Sequence, residues 1–282
     1  MMPFATILLA VIVGTWNGEW FPSGRAEHRA NAAVEQATIR EAGRMIREGL
    51  ARVDPEGTNG LILCFNEIRD PMAAEALCRE IGRKDLSVAM ISRYRRRDRY
   101  DMQQDVVMTT LPVVRANWCR WKVYRENTAP RGYAYAEVLI EPTVTAAVYS
   151  VHLKSNYGQT SAEIAEGNRN KRLRAVAQLV NQEKPKRKKY RMPVIVAGDF
   201  NADRWSSEFR GEKIFDVLAE AGFENCFEGV PADARITHPG HGKFPNGTLD
   251  YVFFRGFTSA APPTVVPARQ LSDHNAVFAD LR

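Results

Sequence analysis

The sequence predicts an α+β fold in which two β-sheets pack together and helices cover the outside. Three observations predict it. Nine short Val/Ile-rich runs recur from end to end of the 282-residue chain, several continuous enough to be buried on both faces. Strands therefore outnumber the four stretches that carry a helical pattern. Residues 86–153 read as consecutive strands joined by turns, which excludes a regular βαβ alternation. No repeat, low-complexity stretch or Gly/Ser linker divides the chain, so residues 1–282 are read as one domain.

The first strand is LLAVIVGTW. The apolar stretch Phe4 to Val13 around it has ten residues, too few for the roughly 20 that a bilayer-crossing helix needs. No Lys or Arg precedes Arg25, as a signal peptide would require, so the stretch is read as a buried strand with no stable membrane insertion. The chain as given is expected to be cytoplasmic and monomeric, or secreted or periplasmic if its gene begins upstream. A helix follows over Arg25 to Val53, with Val34, Ala37, Met45, Ile46, Leu50 and Val53 near one face. After the strand GLILCF, Asp70 and Pro71 supply an N-cap and a first-turn proline. Ala74, Leu77, Cys78 and Ile81 make the stripe of this second helix, and Gly82 closes it. Strands LSVAMIS, DVVMTTL, YAYAEVLI and TAAVYSVHL come next. Thr160-x-x-Glu163 is a capping-box pattern, and Leu173, Val176, Ala177 and Val180 form the face of the helix it starts. MPVIVAGDF is a strand, Lys213 to Ala221 a short helix ended by Gly222, and LDYVFF and HNAVFADL are the last strands.

The net charge is +6 and the isoelectric point about 9.2. Arg93 to Arg99 holds five basic residues and one acidic, and Glu183 to Arg191 six and one. These two stretches thus carry nine net positive charges on a body of about −3, which suggests an anionic partner. The four cysteines are scattered without a Cys-x-x-Cys pair. Cys64, in an apolar run, and Cys78, on a helix face, read as small buried thiols, and structural zinc is not expected.

Polar, ligand-type residues recur where strands end. They are Asn17, Glu67, His152, Asp199, Asn201, Asp250, Asp273 and His274. Each flanks or sits within an apolar run, so the side chains are expected to gather along one sheet edge. Gathered carboxylates repel unless a cation neutralises them. Oxygen donors dominate and thiols are absent, which favours Mg²⁺, with Mn²⁺ as a substitute, over Zn²⁺. A metal, a base and donors around phosphoryl oxygens suit hydrolysis of a phosphate ester. Lys154, beside the His152 strand end, is read as a phosphate contact. His238-Pro-Gly-His241-Gly is read as a turn at the pocket rim rather than a second metal site. Trp16, Trp20 and Phe200 are read as core.

TWNGEW, the NE of LCFNEI, VHLKSN, GDFNAD, LDYVFF and SDHNAV occur in the order seen in the endonuclease/exonuclease/phosphatase superfamily. From about residue 11 onward the chain resembles that superfamily. The resemblance implies the deoxyribonuclease I-like fold, a four-layer α/β sandwich of two packed mixed β-sheets flanked by helices. It implies that Glu67 is the principal metal ligand, that Asn17 contacts metal or phosphate, and that Asp273 approaches the metal. Asp199 and Asn201 would position the attacking water and the phosphate. Asp250 would orient the His274 imidazole, and His152 would be the second histidine. Two positions depart from the pattern. Asn66-Glu67 stands where the family usually has Gln-Glu, and the Glu that pairs with the second histidine in deoxyribonuclease I has only Gln104 or Asp105 in its region here. The expected activity is Mg²⁺-dependent phosphodiester hydrolysis by a nuclease acting on DNA rather than RNA. The alternatives are a phosphomonoesterase, a phosphoinositide- or sphingomyelin-type lipid phosphodiesterase, and a non-catalytic nucleic-acid-binding protein.

Overall fold

Alternating burial sorts the strands into two sheets. The computed structural model describes residues 10–24, 31–96, 99–123, 129–156, 160–190, 192–240 and 245–282, with the backbone alone described at 96, 99–100 and 184–190. The elements are β1 (Val11–Phe21), α1 (Ala32–Val53), β2 (Gly60–Ile68), α2 (Pro71–Ile81), β3 (Ser87–Ile91), β4 (Arg95–Arg96), β5 (Arg99–Tyr100), β6 (Gln104–Thr109) and β7 (Val113–Arg120). There follow β8 (Gly132–Glu141), β9 (Val144–His152), α3 (Ala162–Tyr190), β10 (Val194–Asp199), α4 (Ile214–Glu220), β11 (Glu224–Asn225), β12 (Asp250–Arg255), β13 (Thr264–Val266) and β14 (Ala276–Leu281). One six-stranded sheet runs β13-β14-β1-β2-β6-β3 and the other β11-β12-β10-β9-β8-β7. The β1–β2 and β9–β10 pairs are parallel and their other neighbours antiparallel, so both sheets are mixed.

Residue alternation along β1 builds two cores. Val11 and Val13 face the second sheet with Ile62, Cys64 and Val107, while Ile12 and Trp16 face away, against α1 and α2. Ile39, Ala42, Met45, Ile46 and Leu50 of α1 and Leu77 of α2 complete that outer core. Gly49 lets α1 sit directly on the sheet, because a Cβ there would lie 2.2 Å from the Phe278 ring. On the other side, Ala175, Val176, Leu179 and Val180 of α3 and Ile214 and Leu218 of α4 cover the second sheet. The result is the four-layer arrangement: helices, sheet, sheet, helices.

Local signals placed α2 correctly. The Asp70 side chain accepts from Ala73 N, Pro71 opens the first turn, and Gly82 ends the helix at φ +65°. Elsewhere tertiary context moved the expectations. Asn31 caps α1, accepting from Val34 N, and Val34 and Ala37 are exposed because burial of the helix begins only at Ile39. Residues 25–30 of the expected helix and 1–9 of the expected first strand lie outside the described residues. At α3 the cap is Ser161, whose hydroxyl accepts from Ile164 N, one residue beyond the expected Thr160. β7 was not anticipated. It is an edge strand whose residues are exposed or half-buried, so it lacks an apolar run. Trp16 and Phe200 are buried as expected, whereas Trp20 is half-buried. Cys64 and Cys226 are buried free thiols, Cys78 is half-buried and Cys119 exposed. No helix among the described residues is long and apolar enough to cross a membrane.

Candidate active site

Strand register assembles the site. Asp199, at the end of β10, pairs with His152 at the end of β9 and with Asp250 at the start of β12. Residues directly opposite one another share a face, so these three side chains stand abreast, each at most 2% exposed. The facing sheet contributes Asn17 and Asn66, paired in register on β1 and β2. Just past them the chain enters the left-handed region at Glu67 (φ +57°), where the β2–β6 register shifts. The last motif docks onto β1. Ser272 Oγ donates to Asn17 O (2.7 Å), His274 N donates to Ser272 Oγ (3.0 Å), and Trp16 Nε1 donates to His274 O (3.1 Å).

Hydrogen bonds then fix the carboxylates. Asn17 Nδ2 donates to Asp199 Oδ2 at 2.9 Å and to Glu67 Oε1 at 3.4 Å, while its Oδ1 accepts from Glu19 N. Asn201, at φ +51°, donates from its backbone N to Asp199 Oδ1 and from Nδ2 to Asp199 Oδ2. His274 Nδ1 lies 2.7 Å from Asp250 Oδ2, and Asp250 N donates to Thr237 Oγ1. His274 Nε2 is then 3.9 Å from Asp199 Oδ2 and 3.8 Å from Asp273 Oδ1. His152 Nε2 stands 3.5 Å from Asp199 Oδ2 and 3.7 Å from Glu67 Oε1. Asn66 ties the sheets together, accepting from Asp199 N at 2.9 Å and donating to Asp105 Oδ1 at 2.8 Å. Gly198 is required beside it: φ is +143°, and a Cβ would lie 2.0 Å from Val151 O.

Burial sets the electrostatics. It raises the Glu67 carboxyl, against the opposing pull of Arg131, Gln103, His274 and Asn17. It raises Asp199 to about 7, with the Asp250 charge adding to the rise and His274 opposing it. Burial also pushes His152 well below its ordinary value, helped by Arg131, so this imidazole is neutral. For His274 burial works the same way, but Asp250, Asp199 and Asp273 outweigh it and raise the group to about 10. Glu67 Oε2 and Asp250 Oδ1 are buried acceptors without a hydrogen-bond partner among the described residues. Unpaired carboxylate oxygens in a buried site suit a divalent cation. Two described groups have donor atoms close enough to share one ion: Asp199 with Asp250 and His274, and His238 with Asp273 and His274.

The structure brings the expected residues together with different partners from some of those anticipated. Neither Gln104 nor Asp105 binds His152. Asp105 accepts from Asn66 and from Tyr94 OH, and Gln104 Oε1 accepts from Ser92 Oγ and Tyr94 N. His152 Nδ1 has no partner among the described residues. Instead, its backbone is held by a residue the motifs did not flag. Arg131, at φ +61°, donates from Nε to His152 O, from Nη2 to Leu153 O, and from Nη1 to Gln103 Oε1. Its only sequence signal is an Arg-Gly pair directly before the strand YAYAEVLI. Half-buried Lys154 donates to Ser155 O. His238 does reach the rim, its ring 5.0 Å from that of His274, whereas His241 lies outside the described residues.

Two mixed six-stranded sheets between helix layers, with acids and histidines meeting at one end, define a deoxyribonuclease I-like hydrolase fold. The chain belongs to the Endonuclease/Exonuclease/phosphatase family, whose model matches residues 14–274. Its members are phosphoric ester hydrolases. Solved structures agree on the fold. An endonuclease/exonuclease/phosphatase from Beutenbergia cavernae superposes with TM-score 0.66 at 17% identity, over 97% of this chain and 72% of that one. TDP2 from C. elegans gives 0.62 at 14%, covering 96% and 75%. Sphingomyelinase C from Streptomyces griseocarneus gives 0.61 at 19%, covering 96% and 99%. A search of curated proteins finds no match.

Proposed function

We propose that this protein is a Mg²⁺-dependent phosphodiesterase that cleaves DNA by in-line attack of water. The observation that carries the reading is the shared row of His152, Asp199 and Asp250, with His274 bound through Nδ1 to Asp250 and Asn17 joining Asp199 to Glu67. Glu67 would hold the ion with help from Asn17 and Asp273, and Mn²⁺ would substitute. When bound, the cation neutralises phosphoryl charge.

The chain's own groups supply the rest. Asp199, fixed by Asn17 and Asn201, orients the attacking water and accepts its proton as the new O–P bond forms. His274, steadied by Asp250, turns Nε2 toward the developing negative charge. Neutral His152, Asn17, Asn201 and Lys154 surround the phosphoryl oxygens. The P–O bond to the leaving group breaks as the new one forms, and the leaving oxygen keeps the electron pair and takes a proton from solvent. Support for DNA comes from the charge distribution: the two basic stretches carry the net positive charge of the chain. The side chains of most of these residues lie outside the described ones.

The test is incubation with supercoiled plasmid in Mg²⁺, with a chelator and the Asp199→Ala variant in parallel. Metal-dependent nicking is expected, with a loss of roughly 10³-fold in the variant at unchanged circular dichroism. An intact plasmid after incubation with folded protein overturns DNA cleavage, and near-normal turnover by Asp199→Ala overturns the assigned roles.

A further inference from the structure

We infer that His238, Asp273 and His274 form a second cation site of a different chemical kind, for a divalent ion of the Zn²⁺ class. His238 lies outside every motif that marks the hydrolytic site. The chain nevertheless carries it to the rim, where Nε2 is 3.7 Å from Asp273 Oδ2. His274 Nε2 is 3.8 Å from Asp273 Oδ1 on the other side. One donor atom from each residue lies within 4.8 Å of the other two.

The spacing leaves room for an ion among the three groups. Separations of 3.7–3.8 Å are too long for a hydrogen bond. The two separations end on different oxygens of Asp273, one toward each imidazole, and the donor atoms of the three residues lie within 4.8 Å of one another, against an edge of about 3.4 Å in a tetrahedron of bonds 2.0–2.2 Å long. Small side-chain movements would close the gap. The donor set is also selective. Two imidazoles and one carboxylate suit Zn²⁺, whereas the Glu67 carboxylate offers oxygen, which suits Mg²⁺.

The three ligands are supported from behind. Asp250 holds His274 Nδ1 at 2.7 Å, the carboxylate–histidine–metal arrangement that fixes ring orientation at zinc sites. His238 is pinned through its backbone, whose N and O each bond Gly247 at 2.9 Å. Asp273 N donates to Glu19 Oε2. The side chains of Asp273 and His238 are 34% and 14% exposed, so an ion can enter from solvent and keep water as a fourth ligand.

A regulatory consequence rests on the proposed hydrolytic function. An ion on His274 Nε2 removes that atom from catalysis, so Zn²⁺ is expected to inhibit the Mg²⁺-supported reaction.

Binding is tested without turnover, by titrating the full chain with Co²⁺ in saturating Mg²⁺, whose proposed site shares only Asp273 with this one, and following the visible d–d absorption of Co²⁺. One equivalent with a tetrahedral spectrum, displaced by Zn²⁺, is expected. His238→Ala should weaken it at least about tenfold, and Glu67→Gln should leave it in place. His238→Phe keeps the ring volume and serves if the alanine variant fails to fold. In activity assays, His238→Ala should raise the Zn²⁺ concentration for half-inhibition about tenfold while Mg²⁺-supported turnover stays within about twofold. Unchanged Co²⁺ binding in the folded His238 variants, or its loss in Glu67→Gln alone, overturns the site. A chain that binds Co²⁺ in this way but hydrolyses nothing overturns the hydrolytic reading and leaves the metal site standing.

Discussion

Three donors converge on the Asp199 carboxylate, two from Asn201 and one from Asn17, in a position that is 1% exposed. They lower the cost of ionising it, while burial and Asp250 raise that cost, and the group settles near 7. His274 shows the opposite balance, with carboxylates overcoming burial to reach about 10. A base raised above its unfolded value of about 6.5 adds stability that is complete below that pH and is lost as pH rises through 10. With a chelator present, the melting temperature of the parent protein is therefore expected to fall between pH 7 and 10 more steeply than that of His274→Gln. The upper bound on the difference is about 5 kcal/mol. Parallel declines in the two proteins would show that His274 is not held as a cation.

Among the elements, α3 is fastened to the site by one buried ion pair. Arg172, 1% exposed, donates to Glu212 from Nε and Nη2, and Nη1 donates to Lys154 O and Asn156 Oδ1, both at 2.8 Å. It thereby joins the turn after β9, α3 and the segment leading into α4. Arg172→Ala is expected to cost about 3–5 kcal/mol in denaturant unfolding, because Glu212 stays buried without its partner. Replacing both residues with Met should recover most of that loss. A double variant no more stable than Arg172→Ala would show that the contacts to Lys154 and Asn156, not charge balance, dominate. At this scale α2 was fully legible, since Asp70, Pro71 and Gly82 act within a few residues of the helix. The start of α1 and the edge strand β7 were not, since their exposure depends on where neighbouring elements end.

For the molecule as a whole the partner question is electrostatic. If about six cations from the two basic stretches meet DNA phosphates, log K against log salt should have a slope near −5. Fluorescence anisotropy with labelled duplex and the Asp199→Ala protein would measure it without cleavage. A slope shallower than about −2 would set the basic stretches aside as a nucleic-acid surface. The proposed metal dependence belongs to this scale too, because Asn17 and Glu67 come from one sheet and Asp199 from the other. Weakening the Asn66 link between the sheets is expected to harm the site without touching any reacting group.

The sequence by itself determined the chemistry of the parts. Acids, amides and histidines at the ends of apolar runs identify strand ends that meet at one edge, and their motifs identify the family, because residue type and local hydrophobic pattern are properties of short segments. The tertiary structure alone decided the partnerships that the motifs did not imply. His152 stands beside Asp199 through strand register, Asn66 bonds Asp105 on the neighbouring strand and Asp199 across the sandwich, and Arg131 arrives from a segment without a motif. Those contacts join residues 21 to 133 positions apart. Such pairs are set by how two twisted sheets pack and in which register their strands align, and no local pattern encodes that.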